Sequence, residues 1–303
     1  MFGSKRRPLW DDLPPTLRTG VEELVGSPVT RSDNCSGGFS PGFASRLGLR
    51  DGRRVFVKAV DGTRWPVEAG HYRAEAVVTG HLPADVPAAR LLSSSEITGW
   101  TVLAFECVDG AEPARPWTDG ELGRTVRAVA RLAGAVTPSP VPLGTDHPRL
   151  GGWAELDRDR LSAVSPWSAA NLTRLTELEA RGLRAAQGDS LVHFDLYPHN
   201  ILLTEDRVVF VDWPHARLGA PVVDLVTVLG SAAADGLDPE PYLSSVASTM
   251  PVEPGDVDAV LAAYTGFLVA GGMTLMPPGL EPIALEKRRL GVGALRWLRQ
   301  RLG

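Results

Sequence analysis

Leu191-Val192-His193-Phe194-Asp195-Leu196-Tyr197-Pro198-His199-Asn200-Ile201-Leu202-Leu203, followed after four residues by Val208-Val209-Phe210-Val211-Asp212-Trp213, is the most specific pattern in this 303-residue chain. Two carboxylates and a carboxamide, Asp195, Asn200 and Asp212, fall within eighteen residues, each beside a short apolar run. Short strands on either side would fix the intervening loop, so that the three side chains converge on one point. Converging oxygen ligands suit Mg²⁺, which is held by a few protein oxygens together with substrate phosphates. Phosphoryl transfer asks for the same parts: metal to neutralise developing charge, and a carboxylate to orient the acceptor hydroxyl and take its proton.

Upstream, Val55-Phe56-Val57-Lys58-Ala59-Val60 places one lysine in an otherwise apolar strand. Burying an ammonium without a partner is costly, and its natural counterions are nucleotide phosphates and a nearby carboxylate. Just before this strand, Ser36-Gly37-Gly38-Phe39-Ser40-Pro41-Gly42 supplies glycines whose backbone N–H groups can approach a phosphate closely.

The surrounding pattern predicts strands over 44–49 and 54–60 joined at Asp51-Gly52, a helix over 67–79, and strands over 88–93 and 100–106 around Ile97-Thr98-Gly99. Beyond a Pro-rich passage, apolar residues recur at helical spacing: Leu122, Val126, Val129 and Leu132, then Leu172, Leu175, Leu178 and Leu183. Helices return over 222–230, 257–269 and 283–302. Asp224 opens the first of these three and reads as a cap on its free N–H groups.

The His193-x-Asp195-Leu196-x-x-x-Asn200 spelling with Asp212 downstream resembles the catalytic loop and metal-binding aspartate of protein kinases. It is closer still to the form found in the aminoglycoside phosphotransferase and choline kinase group. The resemblance spans most of the chain and implies an α+β, two-lobed protein kinase-like fold. The β-rich N-lobe (1–106) would bind nucleotide, and the mostly helical C-lobe (107–303) would carry the catalytic loop and the acceptor site. It further implies that Asp195 is the catalytic base, that Asn200 and Asp212 bind Mg²⁺, and that His193 braces the loop. Lys58 would hold the phosphates of ATP or GTP, oriented by Glu75 in preference to Glu68. Gly37, Gly38 and Ser40 would lie along the phosphates. The strand Thr101–Gly110 resembles the kinase hinge, with the Glu106 carbonyl and Val108 amide facing the base.

A small hydroxylated acceptor is implied: an aminoglycoside or similar antibiotic or metabolite, with choline, an amino sugar or an amino-acid derivative as the alternative. The net charge of −5 does not favour nucleic acid or an anionic membrane and suits a cationic acceptor. Asp157, Asp159, Glu177, Glu179, Asp256, Asp258, Glu281 and Glu286 are the acidic residues that would face such an acceptor or else face water. No stretch reads as a membrane span, and two cysteines, Cys35 and Cys107, are too few for a disulfide framework. A cytoplasmic monomer or homodimer is the expectation. Three rivals compete with it. Gly38-Phe39-Ser40-Pro41-Gly42 also spells the Gly-x-Ser-x-Gly of hydrolases, His193, His199 and His215 would be the ligands of a zinc site, and a non-catalytic pseudokinase would share the fold. Against the last stands the presence of Lys58, Asp195, Asn200 and Asp212 together.

Overall fold

The computed structural model describes residues 7–35, 40–144, 148–276 and 281–303. Along the chain run α1 (Pro15–Val25), β1 (Val29–Asn34), β2 (Phe43–Leu49), β3 (Arg54–Asp61), α2 (Pro66–His81), β4 (Leu91–Ile97) and β5 (Trp100–Glu106). Helices α3 (Asp119–Ala135), α4 (Arg158–Val164), α5 (Pro166–Ala170) and α6 (Leu172–Ala185) follow. Four short strands come next, β6 (Ser190–Val192), β7 (Ile201–Leu203), β8 (Val208–Phe210) and β9 (Arg217–Gly219). The chain then continues with α7 (Val222–Ala234), α8 (Glu240–Ser245), α9 (Pro254–Met273) and α10 (Glu281–Leu302).

These elements form two compact units. The first holds the chain up to Glu112 together with His199–Ala216, and the second holds Pro113–Pro198 with Arg217–Gly303. The expected boundary at 106/107 did not anticipate the return of the β7–β8 hairpin to the first unit. That hairpin is drawn in by backbone bridges, Phe210 to Ala88 and Leu203 to Ala111.

The first unit is built on an antiparallel sheet of order β1-β2-β3-β5-β4. Alternation along β3 sends Val55, Val57 and Ala59 to one face, where Leu17, Val21 and Val25 of α1 cover them. The opposite face carries Val60, Leu103 and Phe105 against Ala69 and Tyr72 of α2. Lys58 points to this second, α2-covered side, opposite Leu103 in the β3–β5 register. The Asp51-Gly52 turn forms as expected, with Gly52 at φ +86°. Two differences have physical causes. Ahead of the first expected strand lie α1 and β1, the latter a polar edge strand with little buried surface. The strand expected over 88–93 shifts to Leu91–Ile97 because Ala88 bridges Phe210 instead.

The second unit packs α6, α7 and α10 around α9. Contrary to the sequence expectation, α9 is long and apolar enough to cross a membrane by length and composition, with a mean hydropathy of 1.2. Yet 61% of that window is buried inside the protein, where it serves as the core helix. α6 approaches it so closely that a Cβ on Gly182 would lie 2.1 Å from the Ala259 carbonyl oxygen. The buried edge of α6 is Leu175, Glu179 and Gly182, and Leu183 is exposed.

Candidate active site

In the first unit, β3 delivers Lys58 to a position only 7% exposed. Its ammonium is in contact with Glu75 of α2 and donates to Asp212 Oδ1 at 2.8 Å. The Tyr72 and Phe105 rings lie 5.1 and 5.7 Å from the same nitrogen, so its remaining surroundings are aromatic. Burial works against the ammonium, but the carboxylates of Asp212 and Glu75 outweigh it and raise its pKa above the usual lysine value. Burial also pushes Glu75 up to about 7, against the pull of Lys58. Lys58 therefore stays charged. Of the two carboxylates expected beside Lys58, Glu75 and not Glu68 pairs with it; its second oxygen accepts the Trp213 N–H at 3.4 Å.

Asp212 follows β8 and adopts φ +66°, a left-handed backbone uncommon for a residue with a side chain. Its side chain is half exposed, in contrast to the buried Lys58 and Glu75. Asn200 precedes β7 and is buried, and its carbonyl accepts the Val211 N–H at 3.0 Å. The β7–β8 hairpin thus ties the backbone of Asn200 to the residue before Asp212. Both residues offer the hard oxygen donors that Mg²⁺ takes.

In the second unit, the loop carrying Asp195 leaves β6 through His193, which is fully buried. The Asp195 N–H donates to His193 Nδ1 at 3.3 Å. Asp224 does not cap α7, whose N-cap is Pro221. Its buried carboxylate instead accepts the N–H groups of His193 and Phe194, both at 2.8 Å. Burial pushes Asp224 up to about 6 despite those two donors. Phe194, next to Asp195, sits at φ +67°. Such backbone is held only where the surroundings over-determine it, and it concentrates at functional sites. Sequence reasoning found Asp224 but assigned it the wrong task, because its partners lie 30 residues back in the chain.

A profile of the phosphotransferase enzyme family matches residues 36–254, well over half of the chain. The chain belongs to that family. Over 40 residues this chain is 42% identical to "Protein LicA" of Haemophilus influenzae. That match takes in 13% of this chain and 15% of LicA, so the chain spans about a seventh of the length of the curated relative it matches. Solved structures share the fold at low identity. An aminoglycoside phosphotransferase from Alicyclobacillus acidocaldarius is 14% identical, with a TM-score of 0.58 and coverage of 92% of this chain and 94% of that one. Amicoumacin kinase hAmiN, in complex with AMP-PNP, Ca²⁺ and Ami, is 12% identical, with a TM-score of 0.52 and coverage of 92% of each chain. The two-lobed kinase-like α+β fold expected from the sequence is therefore the fold of this chain.

The remaining expectations divide. Gly37 and Gly38 lie outside the described residues. Ser40 hydrogen-bonds Tyr72 OH at 3.0 Å and accepts the Gly42 N–H at 3.3 Å. The chain runs from it into β2, so the strand-to-helix elbow of a hydrolase nucleophile is absent at this serine. Gly42 is needed there: a Cβ would lie 2.5 Å from the Ala59 carbonyl oxygen and 2.8 Å from Tyr72 OH. Val108 is buried in an apolar cluster with Ala89 and Val209, flanked by Leu202 and Val211. Glu106 ends β5, with its carboxylate 3.3 Å from Arg207. Among the described residues, no group of three or more His, Cys, Asp or Glu is arranged to hold a metal, so the zinc reading has no cluster to stand on.

The acidic residues proposed to meet a cationic acceptor are partly committed elsewhere. Glu179 accepts the N–H groups of Gly152, Trp153 and Ala154, and Asp157 caps α4. Asp258 pairs with Arg301, and Glu286 with Arg289 and Arg115. The Arg289 bond leads the causes that bring Glu286 down to about 2.

Proposed function

We propose that this phosphotransferase moves the γ-phosphoryl group of ATP or GTP onto a hydroxyl of a small molecule, an aminoglycoside or a similar antibiotic or metabolite. The observation that carries the reading is the buried Lys58–Glu75 pair joined to a half-exposed Asp212. In phosphoryl transfer a lysine fixed by a carboxylate in this way pairs with nucleotide phosphates. The family match and the nucleotide-and-metal complex of hAmiN support it.

Lys58 would grip the α- and β-phosphate oxygens, with Glu75 fixing its direction. Gly37, Gly38 and Ser40 would line the phosphates, and the Glu106 carbonyl and Val108 amide would hydrogen-bond the base beside the Ala89–Val209 cluster. The Asp212 carboxylate and Asn200 amide oxygen would hold Mg²⁺, which when bound neutralises charge on the phosphate oxygens. Asp195, held by His193 and Asp224, orients the acceptor hydroxyl and takes its proton as the oxygen attacks the γ-phosphorus. The bond to the β–γ bridging oxygen breaks, leaving a phosphate monoester and a nucleoside diphosphate. Cys35 and Cys107 are free thiols, which suits the reducing cytoplasm. Choline, an amino sugar or an amino-acid derivative is the alternative acceptor.

Transfer of labelled γ-phosphate from ATP and GTP with Mg²⁺, across a panel of antibiotics, amino sugars and choline, tests the reading. Asp195→Asn should lower the rate by roughly 10² to 10⁴-fold. An undiminished rate in that variant would remove Asp195 as the base. Nucleotide binding without transfer to any acceptor would favour the pseudokinase, and no nucleotide binding would overturn the whole reading.

A further inference from the structure

The loop that carries Asp195 is anchored at both ends, at the front by Asp224. At the back, the Tyr197 N–H donates to the Asp195 carbonyl at 2.9 Å, closing a tight turn. The Tyr264 hydroxyl, on α9, donates to the Tyr197 hydroxyl oxygen at 3.4 Å. Tyr264 is 2% exposed and its seat is shaped by α7: a Cβ on Gly230 would come within 2.7 Å of Tyr264 Cε1. The same helix that holds the front of the loop through Asp224 thus makes room for the ring that holds its back. Burial raises both phenols above their ordinary values, so both hydroxyls are neutral.

We propose that Tyr264 is a positioning residue for phosphoryl transfer, acting through the Tyr197 hydroxyl to fix the turn that aims Asp195. This rests on the assignment of Asp195 as the base. A rigid aim matters because displacing a catalytic group by about 1 Å can cost on the order of 10²-fold in rate.

The experiment compares Tyr264→Phe, Tyr197→Phe and the double variant in the full chain, by γ-phosphate transfer and by release of phosphate to water. Tyr264→Phe should lower kcat roughly tenfold while the nucleotide KM stays at its wild-type value. The double variant should be no slower than the slower single one, since both break one link. Equal loss in kcat and KM, additive losses, or a wild-type kcat would overturn the proposal. Amide NMR spectra of the labelled chain provide a readout that needs no turnover. Tyr264→Phe should shift the Asp195 and Leu196 resonances and leave that of Lys58 in place; unmoved loop resonances overturn the positioning role. If the wild type transfers nothing to acceptor or water, the transfer reading fails on its own, and the NMR result still decides whether Tyr264 sets the loop.

Discussion

The charged centre of the first unit and the Asp195 loop of the second solve opposite problems. Around Lys58 an ammonium and two carboxylates are brought together, and burial is offset by mutual attraction. Around Asp195 the structure spends a single buried carboxylate, Asp224, on two backbone N–H groups, and completes the seat with His193 and a pair of neutral phenols. Opposite charges are gathered around Lys58. Acceptors without a countercharge are used where the backbone itself must be held still.

The sharpest way to break this contrast is Lys58→Met. Removing one partner of a buried ion pair leaves an uncompensated charge and costs about 3–5 kcal/mol, but Glu75 can escape by taking up a proton. Its folded pKa, about 7, already lies above its ordinary 4.5. A carboxyl raised in this way contributes stability that is complete below its unfolded pKa and lost as pH rises through the folded value. Loss of Lys58 raises that folded value further. Urea melts should therefore show a small deficit for the variant at pH 5 and one approaching the full cost at pH 8, together with loss of nucleotide binding. An equal deficit at both pH values would mean that Glu75 does not carry the charge of the pair.

Asp224→Asn sharpens the other side. Asparagine offers one acceptor oxygen to two N–H donors and turns its own amide hydrogens toward the second. A buried donor left unmade costs about 1–3 kcal/mol, and a deficit of that size, independent of added nucleotide, is expected in denaturant melts. Transfer should fall with nucleotide affinity unchanged, because nothing around Lys58 is touched. A rise in nucleotide Kd would show that the two regions are not separable in this way.

Much of this was legible because it was local. Lys58 stood out as the one charge in an apolar strand, and its carboxylate partner Glu75 lies on the helix that follows. The elements that escaped lacked a local signal. β1, Val-Thr-Arg-Ser-Asp-Asn, is a polar edge strand stabilised by its pairing with β2. α1 has Gly20 in its interior, a residue that weakens a helical pattern and is present because the Ile97 side chain fills the space beside it. Glu179 looked like one more surface acid on α6, but its three backbone partners belong to residues 152–154, which no spacing rule links to it. The left-handed backbone at Phe194 and Asp212 is equally silent in sequence, since neither is glycine.

The smallest expected effect tests whether burial, not pairing, is what gives the Lys58 centre its strength. Arg54 Nη1 reaches both oxygens of Asp109 at 2.7 and 2.9 Å, lengths close to that of the Lys58–Asp212 bond. The difference is exposure: the side chains of Arg54 and Asp109 are 48% and 74% exposed. Solvent screens such a pair and ordering two flexible side chains offsets what remains. Arg54→Ala should therefore leave Tm, nucleotide binding and transfer at wild-type values in 0.15 M salt, roughly physiological ionic strength. A measurable loss would show that geometry alone can stabilise an ion pair on this fold, and the cost expected for Lys58→Met would then have to be attributed to contact distance as much as to desolvation.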